Sequence, residues 1–153
     1  MSIEKVRDYF RKYEIDNRIM EFDVSSATVE QAAAALNCKP ERIAKTLSFN
    51  AKGRIILIVT AGDCKIDNTK YKACFETKAK MLTAEEALKF VGHAVGGVCP
   101  FALNPETEVY LDISLKRFET VFPACGSSNS AIELSISELE RYSSFSAWID
   151  VCK

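Results

Sequence analysis

Short helices and strands alternate along all 153 residues, which predicts a single α/β (α+β) domain spanning residues 1–153. Its sheet is expected to be mixed, mostly antiparallel and surrounded by helices. Three observations carry this expectation. Ile55-Ile56-Leu57-Ile58-Val59 is apolar without alternation, as in a central strand buried on both faces. Asn50-Ala51-Lys52-Gly53 stands between that run and the strand-like stretch 46–49, a hairpin signal. Thr28-Val29-Glu30-Gln31 and Thr83-Ala84-Glu85-Glu86 are capping-box patterns that open helices between the strands.

In chain order, Ile3, Val6, Phe10 and Tyr13 recur at helical spacing and predict a helix over 2–14. Residues 18–23 read as a short strand. The first capping box opens an alanine-rich helix to Leu36, and Pro40 suits the first position of another short helix reaching Ala44 or Lys45. The hairpin follows, with strands 46–49 and 54–60. Residues 67–74 read as helix and 80–82 as a short strand. The second capping box begins a helix that ends near Val91-Gly92. Residues 109–113 form a strand, 114–118 a short helix or turn, and 120–124 an extended segment. Gly126-Ser127-Ser128-Asn129-Ser130 turns the chain. Strand 131–135, helical turn 137–142 and a last strand over 147–152 complete the order.

Composition narrows the function classes. Hydrophobic residues make up 48% and net charge is −1, an ordinary globular balance. No apolar run reaches the ~18 residues of a membrane span, and the start Met-Ser-Ile-Glu-Lys-Val-Arg has no apolar leader core, so a cytoplasmic location is expected. Cys38, Cys64, Cys74, Cys99, Cys125 and Cys152 are scattered without a Cys-x-x-Cys pair, and His93 is the lone histidine. That spacing predicts no metal site and no disulfide framework. No Walker loop or dinucleotide fingerprint is present, and no cofactor is expected. Charge is uneven: residues 1–80 carry 15 Lys+Arg against 11 Asp+Glu, a balance of +4, and residues 81–153 carry 5 against 10. Lys65, Lys70, Lys72, Lys78 and Lys80 face only Asp67 and Glu76 within 65–80, an anion-attracting stretch or a solvated face.

The chemistry concentrates in two segments. Gly96-Gly97-Val98-Cys99-Pro100-Phe101 cannot be regular helix or central strand, and its glycines let a ligand approach the main chain. Lys45, in Arg42-Ile43-Ala44-Lys45-Thr46-Leu47, stands at an element boundary from which it can reach a pocket beside the sheet. His93 as a base and Cys99 as a nucleophile are alternatives, but no Gly-x-Ser-x-Gly elbow accompanies them. A lysine with backbone dipoles and small polar groups suits a substrate that is already activated, such as an ester of an amino acid to a ribose hydroxyl.

Three segments carry a family resemblance: Arg42 to Leu47, Val91-Gly92-His93-Ala94-Val95-Gly96-Gly97-Val98-Cys99-Pro100-Phe101, and Ala124-Cys125-Gly126-Ser127 through Ile132-Glu133-Leu134. In this order and spacing the chain resembles the YbaK/EbsC family, related to the editing domain of bacterial prolyl-tRNA synthetases. The resemblance implies hydrolysis of mischarged aminoacyl-tRNA in trans. It places the family's signature lysine on Lys45 and its Gly-x-x-x-Pro loop on Gly96, Gly97, Val98, Cys99 and Pro100. Gly126 falls on the glycine turn that borders the pocket, with Asn129 and Ser130 as neighbours; His93 remains an auxiliary candidate from its position before the glycine loop. Ala131 stands where the cysteinyl-specific branch often has aspartate, and Cys99 where serine is common, so the implied substrate is a small aminoacyl group. The expected partners are the acceptor end of aminoacyl-tRNA, with the five lysines of 65–80 on phosphates, and a synthetase or elongation factor. A non-catalytic tRNA-end or synthetase-binding module, and a hydrolase of small nucleotide esters, are the other readings.

Overall fold

A computed structural model describes residues 2–153. Its centre is the hairpin of β2 (Ile43–Ala51) and β3 (Arg54–Ala61), antiparallel from Ala44↔Ala61 to Ala51↔Arg54. Lys52 and Gly53 both have positive φ, +54° and +88°. Such a two-residue turn matches the strand twist, and the Asn50 side-chain oxygen accepts from the Gly53 N–H at 2.8 Å. β4 (Glu108–Asp112), β5 (Thr120–Pro123), β7 (Leu134–Ser135) and β8 (Ala147–Ile149) complete a six-stranded sheet in the order β7-β5-β2-β3-β4-β8. β1 (Met20–Glu21) and β6 (Ser130–Ala131) form a separate two-stranded pair.

The sheet is mixed, but antiparallel pairing does not dominate it. β2–β5, β3–β4 and β4–β8 are parallel, against antiparallel β2–β3 and β5–β7. Parallel neighbours need crossover connections, and the stretch from β3 to β4 supplies one that carries two helical segments. β3 is buried on both faces, as its unbroken apolar run requires. Leu57 and Val59 join Val6 and Phe10 of α1 (Ser2–Arg11), together with Phe101 and Leu111. Ile56 and Ile58 pack with Tyr71 and Phe75 of α3 (Asn68–Phe75). α2 (Val29–Leu36) covers Ile43 and Phe122 through Ala32 and Ala33. Its capping box is formed, Thr28 accepting from the Gln31 N–H and the Gln31 side chain from Thr28.

Several boundaries move for tertiary reasons. The first helix stops at Arg11 rather than 14, since Glu14 takes φ +60°. The turn begun by Pro40 ends at Arg42 because Ile43 and Ala44 are captured by β5. Lys45 therefore lies inside β2, opposite Thr60, not at an element end. Segment 80–82 is held by one bridge, Phe49↔Met81. The expected strand 131–135 is split between β6 and β7, each with a different partner. The helix after Thr83 is α4 (Ala84–Glu86), which widens into a π turn over Ala87–Val91 and closes at Gly92 with φ +98°. The turn near 137–142 is a full helix, α5 (Ile136–Ser143), opened by a capping box between Ser135 and Glu138. The last strand ends at Ile149, with Cys152 bridged singly to Ile66. No helix among the described residues is long and apolar enough to cross a membrane.

Candidate functional site

The edge of β2 that faces β5 is only partly covered. β5 pairs with it at Ile43 and Ala44 and then leaves. Further along, the Leu82 N–H donates to the Ser48 carbonyl at 3.0 Å and the Asn50 N–H to the Lys80 carbonyl at 2.9 Å. Between these stretches residues 45–47 have no neighbouring strand on that side, and a cavity of about 290 Å³ opens there. Val29 and Ala32 of α2, Phe122 and Ala124, Ser130 and Ala131, Gly96 and Val98, and Met81 and Leu82 wall it. Met81 and Val95 stand at its mouth, 55% and 64% exposed.

Glycine chemistry holds the loops against each other. A Cβ on Gly97 would lie 2.7 Å from the Gly126 carbonyl carbon and the Ser127 nitrogen, closer than side-chain carbons come to backbone. Gly96 takes φ +93° against Ala27, and Gly126 takes φ +92° against the backbone of Ser2. The turn 126–130 is pinned in its own way. The Phe22 N–H donates to the Asn129 carbonyl at 2.8 Å, and the Asn129 side-chain NH₂ to the Phe22 carbonyl at 3.0 Å. Ser127 donates its hydroxyl to Ser130 Oγ at 2.6 Å.

Among the described residues Lys45 is the one ionisable side chain on the cavity wall. Its ammonium donates to the Cys64 carbonyl, which uses one of three hydrogens. The neighbouring Thr46 Oγ1 is buried and has no hydrogen-bond partner. Ser26, Thr28 and Ser48 add hydroxyls to the same wall.

The structure thus brings Lys45, Gly96, Val98 and Ser130 to one cavity. Gly97, Cys99, Gly126 and Asn129 do not line it, and Pro100 lines a different hollow, with Lys5, Tyr9 and Tyr142. His93 also stands off the cavity. It is fully buried, and its Nε2 lies 2.7 Å from the Phe101 carbonyl and 3.5 Å from Cys99 Sγ. Burial lowers its pKa, so the ring is held neutral. The same burial pushes the Cys99 thiol up to about 12, which leaves no thiolate near neutrality.

The five lysines divide. Lys70 is tied to Asp150 at 3.0 Å and to the Cys152 carbonyl at 2.9 Å. Lys72 and Lys78 flank a separate hollow beside α3. Lys65 follows the carbonyl that holds Lys45, and Lys80 precedes Met81 at the cavity mouth. Sequence reasoning passed over Thr46, Ser26, Thr28 and Met81. The polar run Ser25-Ser26-Ala27-Thr28 before a capping box, and the adjacency of Thr46 to Lys45, were the available signals.

Known proteins share this architecture. One solved structure, described as a candidate trans-editing enzyme for prolyl tRNA synthetase, superposes with a TM-score of 0.89 at 24% identity, covering 99% of this chain and 97% of that one. Another, hypothetical protein APE2540, gives a TM-score of 0.84 at 26% identity over 97% of this chain and 99% of that one. The uncharacterized protein YwhH of Bacillus subtilis (strain 168) is 56% identical over 100% of this chain and 98% of its own length. A proline–tRNA ligase of Bacillus licheniformis is 31% identical over 93 residues, which is 60% of this chain and 16% of the ligase. The aminoacyl-tRNA editing domain model matches residues 23–142. With that model spanning most of its length, the chain belongs to the aminoacyl-tRNA editing domain family.

Proposed function

We propose that the protein is a free-standing aminoacyl-tRNA deacylase, which cleaves the ester of a mischarged tRNA carrying a small aminoacyl group. The observation that carries this reading is the shared cavity: Lys45, Gly96 and Val98 meet around about 290 Å³ of mostly apolar space. That volume lies at the small end of ligand pockets, which begin near ~300 Å³. In this reading the aminoacyl group enters the cavity and the terminal ribose stays at its mouth. Lys45, with two ammonium hydrogens free, orients the ester or the adjoining phosphate as a compact charge. Main-chain N–H groups stabilise the oxyanion that develops as water attacks the carbonyl. A vicinal ribose hydroxyl assists from the substrate. No thiol, imidazole, metal or cofactor is called upon, and the ester needs little further activation. The acceptor end is the macromolecular partner. A synthetase or elongation factor delivers it, in the cytoplasm, since the chain as a whole is not basic.

One observation favours a second reading, a non-catalytic module that holds tRNA ends or a synthetase. Among the described residues no carboxylate, imidazole or thiolate lines the cavity to act as a side-chain base. A deacylation panel over several aminoacyl-tRNAs separates the two. Hydrolysis of a small aminoacyl ester, with bulky ones spared, is the expected result. Binding without cleavage of any aminoacyl-tRNA overturns the deacylase reading.

A further inference from the structure

We propose that the uncovered edge of β2 at Thr46 grips the aminoacyl part of the ligand, taking it as a one-residue extension of the sheet. This rests on the reading that the ligand is an aminoacyl ester. Main-chain polar groups along a strand edge point outward at every second residue. On this edge the Ser48 carbonyl and the Asn50 N–H point outward, to Leu82 and Lys80. The same parity turns the N–H and carbonyl of Thr46 outward. β5 has ended at the partner of Ala44, and no backbone hydrogen bond from the 80–82 segment reaches past Ser48.

The Thr46 side chain repeats the pattern. Thr46 lines the cavity and its hydroxyl oxygen is buried without a partner, although nearly all buried polar groups have one. One residue therefore carries an N–H donor and a carbonyl acceptor turned to the open edge, and beside them a hydroxyl without a partner. An aminoacyl ester carries the complement: a carbonyl oxygen that accepts, and an α-ammonium that donates. Among the described residues Lys45 is the only ionisable group on the wall, and it has the same sign as that ammonium. Neutral acceptors must therefore receive the ammonium, and the Thr46 carbonyl is the one left open on the edge. The guest side chain then lies against Ile43, Val98 and Phe122.

The test uses the full chain and two probes: 3′-alanylamino-3′-deoxyadenosine, whose amide resists hydrolysis, and 3′-amino-3′-deoxyadenosine, which lacks the aminoacyl part. Thr46→Val keeps the branched shape that suits a strand and removes only the hydroxyl; Thr46→Ser keeps the hydroxyl. The alanylamino probe should lose about tenfold in affinity in Thr46→Val and recover in Thr46→Ser, with the amino probe unchanged in both. The Thr46 amide signal should shift, and its exchange with solvent should slow, only with the alanylamino probe. Equal affinity of the wild type for the two probes overturns the proposal, as does an equal loss for both in Thr46→Val. If Thr46-dependent binding persists while no aminoacyl-tRNA is cleaved, the inference stands and the deacylase reading falls. If cleavage proceeds with KM unchanged in Thr46→Val, the reverse holds.

Discussion

The loop that follows His93 has two sides of opposite character. Gly96 and Val98 face the cavity, where Lys45 and small hydroxyls wait. Cys99 and Phe101 face the core, with His93 beside them, and all three are at most 1% exposed. The side chains with the richest intrinsic chemistry, a thiol and an imidazole, lie on the dry side. There burial holds both neutral. The wet side has backbone, hydroxyls and one ammonium. Reactivity by residue type is thus a poor guide to function here; position relative to the β2 edge is a better one.

The sharpest way to break this contrast is to remove the wet side's charge. Lys45→Ala should lower kcat/KM for a susceptible aminoacyl-tRNA by about 2–4 kcal/mol of transition-state stabilisation, roughly 30- to 1000-fold, the scale of losing an oxyanion donor. The melting temperature should hardly move, because Lys45 contributes one hydrogen bond and no core packing. Full activity in Lys45→Ala would empty the cavity of its assigned role.

The joint between the two sides comes next. In Gly97→Ala the added methyl meets main chain of Gly126 and Ser127 at 2.7–2.8 Å, which no side-chain rotation relieves. Overpacking of this kind costs about 1–3 kcal/mol, read as a lower midpoint in urea with an unchanged slope. Activity should fall with it, as the 126–130 turn is displaced. An unaltered midpoint would mean that the two loops part easily.

On the dry side the expected effects are on stability. Cys99→Ser puts a hydroxyl into the apolar core, beside the Phe101 carbonyl and the His93 ring. It should cost about 1–2 kcal/mol of stability, while kcat/KM stays within a few-fold. A folded but inactive Cys99→Ser protein would move the chemistry to the thiol. His93 supplies a pH signature. Its folded pKa lies below the unfolded value, so the unfolded chain binds the extra proton first as pH falls. Stability is complete above the unfolded value of about 6.5 and declines below it, by at most about 1.4 kcal/mol per pH unit. The lowered carboxyls, such as Glu138 held at about 2 by Arg18, lose their contribution only below their unfolded range near 4.5. Unfolding free energies between pH 7 and 5 should therefore fall in the wild type and flatten in His93→Gln.

Much of this architecture was legible in the chain. The hairpin, the doubly buried β3 and the capping boxes of α2 and α4 follow from local rules about turns, apolar runs and caps. The parallel pairings were not legible, because crossovers join strands far apart in sequence. The site was half legible. Lys45 and the double glycine stand out by type. The placement of Lys45 within a strand depends on how far β5 accompanies β2, a fact of tertiary pairing. Thr46 looked like any strand threonine; only the missing neighbour makes its hydroxyl an orphan. His93 and Cys99 stood as minor alternatives by residue type; their complete burial is a fact of tertiary packing that sequence does not show.

The smallest expected effect concerns the lysines beyond the cavity. Lys65 adjoins the carbonyl that holds Lys45, and Lys80 adjoins Met81 at the mouth. Lys70 is already paired with Asp150. If an acceptor stem lies along this surface, Lys65→Gln with Lys80→Gln should raise KM for aminoacyl-tRNA several-fold at low salt and leave kcat nearly unchanged. Each lysine–phosphate pairing removed should also reduce the slope of log affinity against log salt by about 0.7–0.9. Lys72→Gln with Lys78→Gln, beside the separate hollow of α3, should do less. An aminoacylated adenosine, too short to reach these side chains, should respond to neither pair. Equal responses from the short and the full substrate would make the two lysines part of the cavity itself. No response from either would make the whole stretch 65–80 a solvated face, and the wet side of the molecule would end at Met81.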